Sequence, residues 1–506
     1  MNIHRSLAQN LAQLKSNFGN SNDLIVRELV LSQGWEGKLA ITYMDGLVSK
    51  DMVFRLMESM LLHSGSIDPD DSGSIMRHLA ITVGDVSCKT DFDAIQRAIL
   101  SGDTVVWSDR ADVAVVVDTR GGDLRPVSQP VSQTVVRGPQ DAFTEAIHTN
   151  ISLIRRRIKD PNLWLEMKQI GSVTKTDVAV MYINGLVKED VLAKLHERLG
   201  AIQLDGVLES NYIEEFIQDT TFTVFPTVNN SERPDVAAAA LLEGRVAVIV
   251  DGTPFVLLVP GLFTQFMQSP EDYYHRADFG ILRALRYLAL FISLLAPALY
   301  IAITTFHQEM LPTSLLISLA AQREGIPFPA FIEALMMEIT FELLREAGVR
   351  MPRAVGTAIS IVGALVLGQA SVEAGLVSPA MVIIVSITAI TGFIFPSFEI
   401  GISIRLLRFA FMGLAASFGF FGIIIGMIAL VLHLCHLQSF GIPYMKPFAP
   451  FNAKDQKDNV VRVPWWQMNR RSGPAAAGSG GMSSGNDNQA NQASSSPSGV
   501  QGHQPE

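Results

Sequence analysis

Apolar and polar positions alternate in two related stretches of the first half of the chain, residues 38–51 (KLAITYMDGLVSKD) and 176–190 (TDVAVMYINGLVKED). Each reads as a β-branched strand ending at Tyr, an Asp-Gly or Asn-Gly turn, and an acidic helix start. The runs that follow, MVFRLMESMLL and VLAKLHERLGAI, have helical spacing. A second pairing repeats the theme: Leu100-Ser-Gly-Asp-Thr-Val-Val-Trp107 precedes a predicted strand at 112–118. Leu242-Glu-Gly-Arg-Val-Ala-Val-Ile-Val-Asp251 ends in a hairpin signal, Asp251-Gly252. A period of about 139 residues predicts duplication of an α/β unit rather than a solenoid. The expected organisation is an N-terminal segment (1–23), α/β subdomain 1 (24–135), a basic helical linker (136–172, with a helix over 140–159), and α/β subdomain 2 (173–275).

Beyond residue 280 the pattern becomes long apolar runs, which predicts a polytopic helical membrane domain over 276–440. Runs 285–304, 354–374 and 380–398 have the roughly 20 residues a span requires. Run 409–436 is longer, and the glycines of Phe418-Gly-Phe-Phe-Gly422 mark a kink or break. Run 311–321 is short and reads as re-entrant or interfacial, and 329–346 is apolar but carries acids. Three arginine groups (Arg276, Arg283, Arg286; Arg345, Arg350, Arg353; Arg405, Arg408) fall on one, cytoplasmic, side if the spans alternate. The basic extension 441–471 also belongs there, which requires that 409–436 be a hairpin, that 311–321 count as a span, or that the rule fail. Residues 472–506 are polar, low in complexity and expected to be disordered.

Charge sharpens the division. The chain has 506 residues and a net charge of −10. About −12 of charge falls in the first 280 residues, so the soluble half repels nucleic acid. The two cysteines, Cys88 and Cys435, make no disulfide framework and fit a reducing compartment. The first 24 residues lack the apolar core of a secretory leader, which predicts a cytoplasmic soluble half anchored by the first span.

Four groups of residues are candidates for function. Gly356, Ser360, Ala364 and Gly368 form a small-residue ridge that lets another helix approach closely. Val355, Ile359, Val362 and Val366 form an apolar stripe on roughly the opposite face, facing either lipid or a pore that closes by dewetting. Glu338 and Glu342 share a stripe with Arg345 and Glu346. They either attract cations in a pathway or reach solvent from an interfacial helix, with Glu342–Arg345 and Glu346–Arg350 as ordinary pairs. Arg155, Arg156 and Arg157 bind an anion or a neighbouring subunit, or form intramolecular or solvated pairs. His433-Leu-Cys-His436 lacks a second ligand cluster and reads as interfacial placement, not a metal site. There is no GxxxxGK[ST], no GxGxxG after a strand, no GxSxG and no HExxH, so nothing supports an enzyme or a cofactor.

An ordered series of strings resembles the A subunits of GerA-type spore germination receptors, including their paralogue SpoVAF. The strings are Val136-Arg-Gly-Pro-Gln-Asp-Ala-Phe143, Asn150-Ile-Ser-Leu-Ile-Arg-Arg-Arg-Ile158, Glu232-Arg-Pro-Asp235, Leu242 through Pro254, Ser269-Pro-Glu-Asp-Tyr-Tyr274, Arg353-Ala-Val-Gly through Ser360-Ile-Val-Gly363, Gly368-Gln369 and Phe395-Pro-Ser-Phe398. The resemblance implies a homo-oligomer, a pentamer, conducting monovalent cations across the spore inner membrane. It also implies a transporter-like B subunit and a lipoprotein C subunit as partners. The segment holding Val362 is similar to the one proposed to line the channel, which makes Val362 the expected constriction. An accessory amplifier like SpoVAF, or a non-conducting scaffold, is the alternative. A secondary transporter would need inverted repeats that the sequence does not display.

Overall fold

The structure is a computed structural model. It describes residues 3–29, 38–62, 85–109, 111–121, 129–276, 280–350, 368–451, 456 and 458–464. The first unit runs α1 (Leu7–Asn17), β1 (Leu24–Leu29), β2 (Leu39–Met44), α2 (Lys50–Leu62), β3 (Val86–Lys89), α3 (Phe92–Ser101), β4 (Thr104–Ser108), β5 (Ala114–Val117). The second runs α4 (Ile147–Arg157), β6 (Leu163–Ile170), β7 (Thr176–Ile183), α5 (Glu189–Ala201), α6 (Ser210–Ile217), β8 (Asn229–Ser231), α7 (Pro234–Leu242), β9 (Val246–Val250), β10 (Val256–Val259). Both sheets are antiparallel and five-stranded, with orders β1-β2-β4-β5-β3 and β6-β7-β9-β10-β8. The duplication read from the sequence is therefore a duplication of topology.

Helices cover both faces of each sheet, which is why β2 and β9 are buried at every position and lack strict polar alternation. In the second sheet, Val178, Val180 and Tyr182 face α5 and α6, while Ala179, Met181 and Ile249 face α4 and α7. The repeat extends further than the strands. Asn10 on α1 exchanges two hydrogen bonds with the backbone of His4, and Asn150 on α4 does the same with Thr144. Asp109 accepts from the Leu7 N–H, and Asp251 accepts from the Ile147 N–H. The helix expected over 140–159 forms over Ile147–Arg157 and occupies the place in the second unit that α1 occupies in the first. β6 likewise lies ahead of residue 173 and forms the edge of the second sheet.

The helical domain contains α8 (Ile281–Thr305), α9 (Thr313–Arg323), α10 (Ala330–Arg350), α11 (Pro379–Gly392) and α12 (Phe398–His436). Among the described residues, α8 and α12 are long and apolar enough to cross a membrane. At 25 residues α8 is about 37 Å long, at 1.5 Å per residue. α12 is not straight. Gly419 sits at φ 61°, ψ −138°, and the chain folds back there. A Cβ on Gly426 would lie 2.9 Å from the Phe411 ring, although 15 residues of continuous helix would separate the two by about 22 Å. Both arms end against the same soluble segment: Ser403 Oγ donates to the Val224 carbonyl, and His433 Nε2 lies 3.0 Å from Thr223 Oγ1. Of the routes left open for 409–436, the chain takes the hairpin.

The chain after α12 consequently returns to the α/β side. β11 (Gln438–Ser439) and β12 (Ile442–Pro443) form a small hairpin, and Ser439 Oγ donates to Thr227 O at 2.6 Å. Phe440 inserts into the core of the second sheet, with Arg198 stacked 4.8 Å above its ring. The extension thus lies against Arg283 at the start of α8, which donates to Asp458 and to the Asn459 carbonyl.

Candidate functional site at the joint and in the bundle

The α/β module is clamped to α8 by a knot of buried charge. Asp272, only 2% exposed, accepts from Arg283 Nε at 3.0 Å and from Arg286 Nη1 and Nη2 at 2.7 and 2.8 Å. Arg283 Nη1 also donates to Asp458 O at 2.6 Å and Asp458 Oδ1 at 3.1 Å, while Arg462 Nη1 donates to the Asp272 carbonyl. The start of the first long helix, the turn 269–274 and the C-terminal extension are therefore tied together. A second clamp adjoins it. Fully buried Arg233 grips both oxygens of Asp235 and donates to the carbonyls of Gln133 and Pro139, and Tyr274 donates to Asp235. The strings Glu232-Arg-Pro-Asp235 and Ser269-Pro-Glu-Asp-Tyr-Tyr274, far apart in sequence, thus meet at one joint. Their residues were legible as strings, but nothing local marked Asp272 or Arg233 as its clamps.

Inside the bundle, Arg408 of α12 donates to Glu338 Oε2 of α10 at 2.6 Å and to Ser293 O and Oγ of α8 at 2.8 Å each. Arg405 donates to Glu342 Oε2 at 2.8 Å. The placement of Arg405 and Arg408 in a loop after a span is corrected. α12 begins at Phe398, so Arg408 stands about 15 Å along its axis. The expected Glu342–Arg345 pair is also replaced, since Arg345 turns instead over the Phe398 ring at 5.9 Å. Glu346–Arg350 does form, at 2.6 Å. Glu338 and Arg408 are fixed as partners, because a carboxylate and a guanidinium this deeply buried are tolerated only together. Glu333 was not foreseen. Also buried, it accepts from Ser378 N at 2.6 Å and from Ser378 Oγ, at the start of α11.

Arg155 is fully buried. It donates to both oxygens of Asp23 (2.7 and 3.0 Å), to Ser21 Oγ (2.9 Å) and to Leu163 O (2.6 Å), stitching the second unit to the first. Arg157 pairs with Asp141, and Arg156 is half-buried. Arg155 thus presents nothing to a lipid or a neighbouring subunit. Gly368 lies against Val382 of α11 at an ordinary packing distance for an added Cβ, 3.8 Å. Val355, Gly356, Ile359, Ser360, Val362, Ala364 and Val366 lie outside the described residues.

A titratable pair straddles the same joint. Asn230 of β8 donates to Glu399 at the foot of α12, and Glu214 of α6 lies beside them. Burial, then the charges of Glu399, Glu209 and Glu215, push Glu214 up to about 8, opposed by its hydrogen bond with Asn230. A carboxyl whose folded pKa exceeds its unfolded value contributes stability that is complete below about pH 4.5 and is lost as pH rises through about 8. The thermal midpoint of the purified chain should fall between pH 5 and pH 8. Glu214→Gln should flatten that slope. Identical pH profiles for wild type and variant would remove Glu214 from the joint's titration.

A duplicated α/β module gripped by buried ion pairs onto a helical domain, two of whose helices are long and apolar enough to cross a membrane, is the architecture of a membrane-associated protein with a large α/β half. The chain matches the family described as Bacillus/Clostridium GerA spore germination protein over residues 12–473, and it belongs to that family. It is 50% identical over 470 residues to Spore germination protein KA of Bacillus subtilis (strain 168), covering 93% of this chain and 86% of the relative. It is 38% identical over 468 residues to Spore germination protein GerLA of Bacillus cereus, covering 92% and 94%. It also matches a solved structure, the N-terminal domain of the A subunit of the Bacillus megaterium spore germinant receptor GerK3, at 35% identity and a TM-score of 0.42, over 53% of this chain and 99% of that one. The family read from the ordered strings is thus the family of the chain, and it supports a role in spore germination.

Proposed function

We propose that this chain is the channel-forming A-type subunit of a nutrient-responsive germination receptor, a homo-oligomer that passes monovalent cations across the spore inner membrane. Its α/β module faces the cytoplasm, and a transporter-like B subunit and a lipoprotein C subunit are its partners. The observation that carries the reading is the closed interior of the single bundle. Glu338, Arg408 and Ser293 are all at most 2% exposed, so among the described residues a buried ion pair occupies this part of the bundle. An ion path therefore belongs between copies, on a symmetry axis, where the aliphatic stripe around Val362 closes it by dewetting. The clamp at Asp272 supports the coupling, because it bonds the turn 269–274 directly to Arg283 and Arg286 of α8. Val362→Ala should leak K⁺ from reconstituted vesicles without any nutrient, while Ser484→Ala in the polar tail should not. Silence from both, with no cross-linked ring of this subunit, would leave a scaffold for its partners.

A further inference from the structure

A cavity of about 510 Å³ opens at the joint, between the β8–α7–β9 edge of the second sheet, the turn 269–274 and the 393–397 segment ahead of α12. Two of its lining side chains each carry a buried N–H that has no acceptor among the described residues. Arg245, 3% exposed, gives Nη2 to Leu258 O at 3.0 Å, yet its Nε has no acceptor. Among the described residues no carboxylate lies within ion-pair distance of it. Gln265, 8% exposed, uses Oε1 to accept from Leu262 N, and its Nε2 has no acceptor either. The other charged groups on the wall are engaged. Arg286 is held by Asp272, Asp235 by Arg233 and Tyr274, and Glu271 accepts from Val136 N. Glu243 acts on Arg245 through its field.

A guanidinium buried without a counter-ion is costly, and an oxyanion is the ligand that repairs it, since its oxygens accept from several donors at once. We infer that this cavity binds a small oxyanion, a phosphate or carboxylate group, held by Arg245 Nε and Gln265 Nε2. The group comes either from a lipid headgroup at the membrane edge or from solution. Its position between the second sheet and the 393–397 segment makes it a ligand of the joint itself.

The probe is inorganic phosphate, added to the delipidated full chain in detergent at constant ionic strength against chloride, with binding read by calorimetry and by the thermal midpoint. Phosphate should bind and raise the midpoint in the wild type. Arg245→Met should weaken binding roughly tenfold or more, the effect of losing a charge-assisted hydrogen bond. Gln265→Glu keeps the acceptor for Leu262 N but replaces the free donor with a negative charge, and it should abolish binding, so the test does not hang on one variant folding. In nanodiscs of phosphatidylglycerol, loss of the phosphate shift assigns the site to a headgroup, and persistence of the shift assigns it to a soluble anion. No phosphate-specific shift in the delipidated wild type, or an equal shift in both variants, overturns the inference.

Discussion

Replacing Arg408 with Met should destabilise the chain by about 3–5 kcal/mol, the usual cost of stranding one member of a buried ion pair. The variant leaves Glu338 without its cation and removes the two bonds that tie α12 to Ser293 of α8. Thermal unfolding in detergent should show the loss directly. The companion experiment is more informative. Arg408→Met combined with Glu338→Leu removes both charges, and most of the stability should return, because well-packed apolar groups substitute for a buried pair at little cost. If the two single losses simply add, Arg408 and Glu338 do not act as a pair, and the closed-bundle argument for an intersubunit ion path fails with them.

The second large effect is expected at the fold-back of α12. Gly419 occupies backbone space that other residues rarely enter, and a Cβ there would meet the His307 ring at 2.8 Å. A Cβ on Gly422 would overlap the Leu414 carbonyl, which is backbone and has no room to retreat. Gly422→Val should cost on the order of 3 kcal/mol through this overpacking and separate the two arms. The native thiols supply a readout, since Cys88 and Cys435 are both exposed. In sealed vesicles a membrane-impermeant maleimide should label both or neither in the wild type, because α12 returns to the side of the α/β module. Labelling of one thiol alone in the wild type would reject the hairpin, and a change of that pattern in Gly422→Val would show that close contact at Gly422 maintains it.

The repeated KLAITYMDG and DVAVMYING patterns announced paired strands and turns because strand alternation and Asp-Gly or Asn-Gly turns are local properties. The same reading stopped short at α1 and α4, whose equivalence rests on Asn10 and Asn150 bonding to backbone six residues away, a pattern invisible without coordinates. Arg405 and Arg408 were assigned to a loop because charge ended the apolar window. In the fold, Glu342 and Glu338 of another helix neutralise them, so the helix continues through the charges. Arg155 illustrates the converse. A run of three arginines looks like a surface feature, but the first of them is buried against Asp23, 132 residues away.

The sequence by itself determined the division into an acidic duplicated α/β half, an apolar helical half and a polar tail, and it determined the family. These follow from composition, local periodicity and ordered strings, which need no knowledge of what touches what. Only the tertiary structure decided which route residues 409–436 take, which elements the basic extension contacts, which arginine neutralises which carboxylate, and that Asp272 and Arg233 clamp the two halves together. Each of those depends on a partner distant in the chain, and the energy of a buried charge is set by the neighbour it meets rather than by its own place in the sequence.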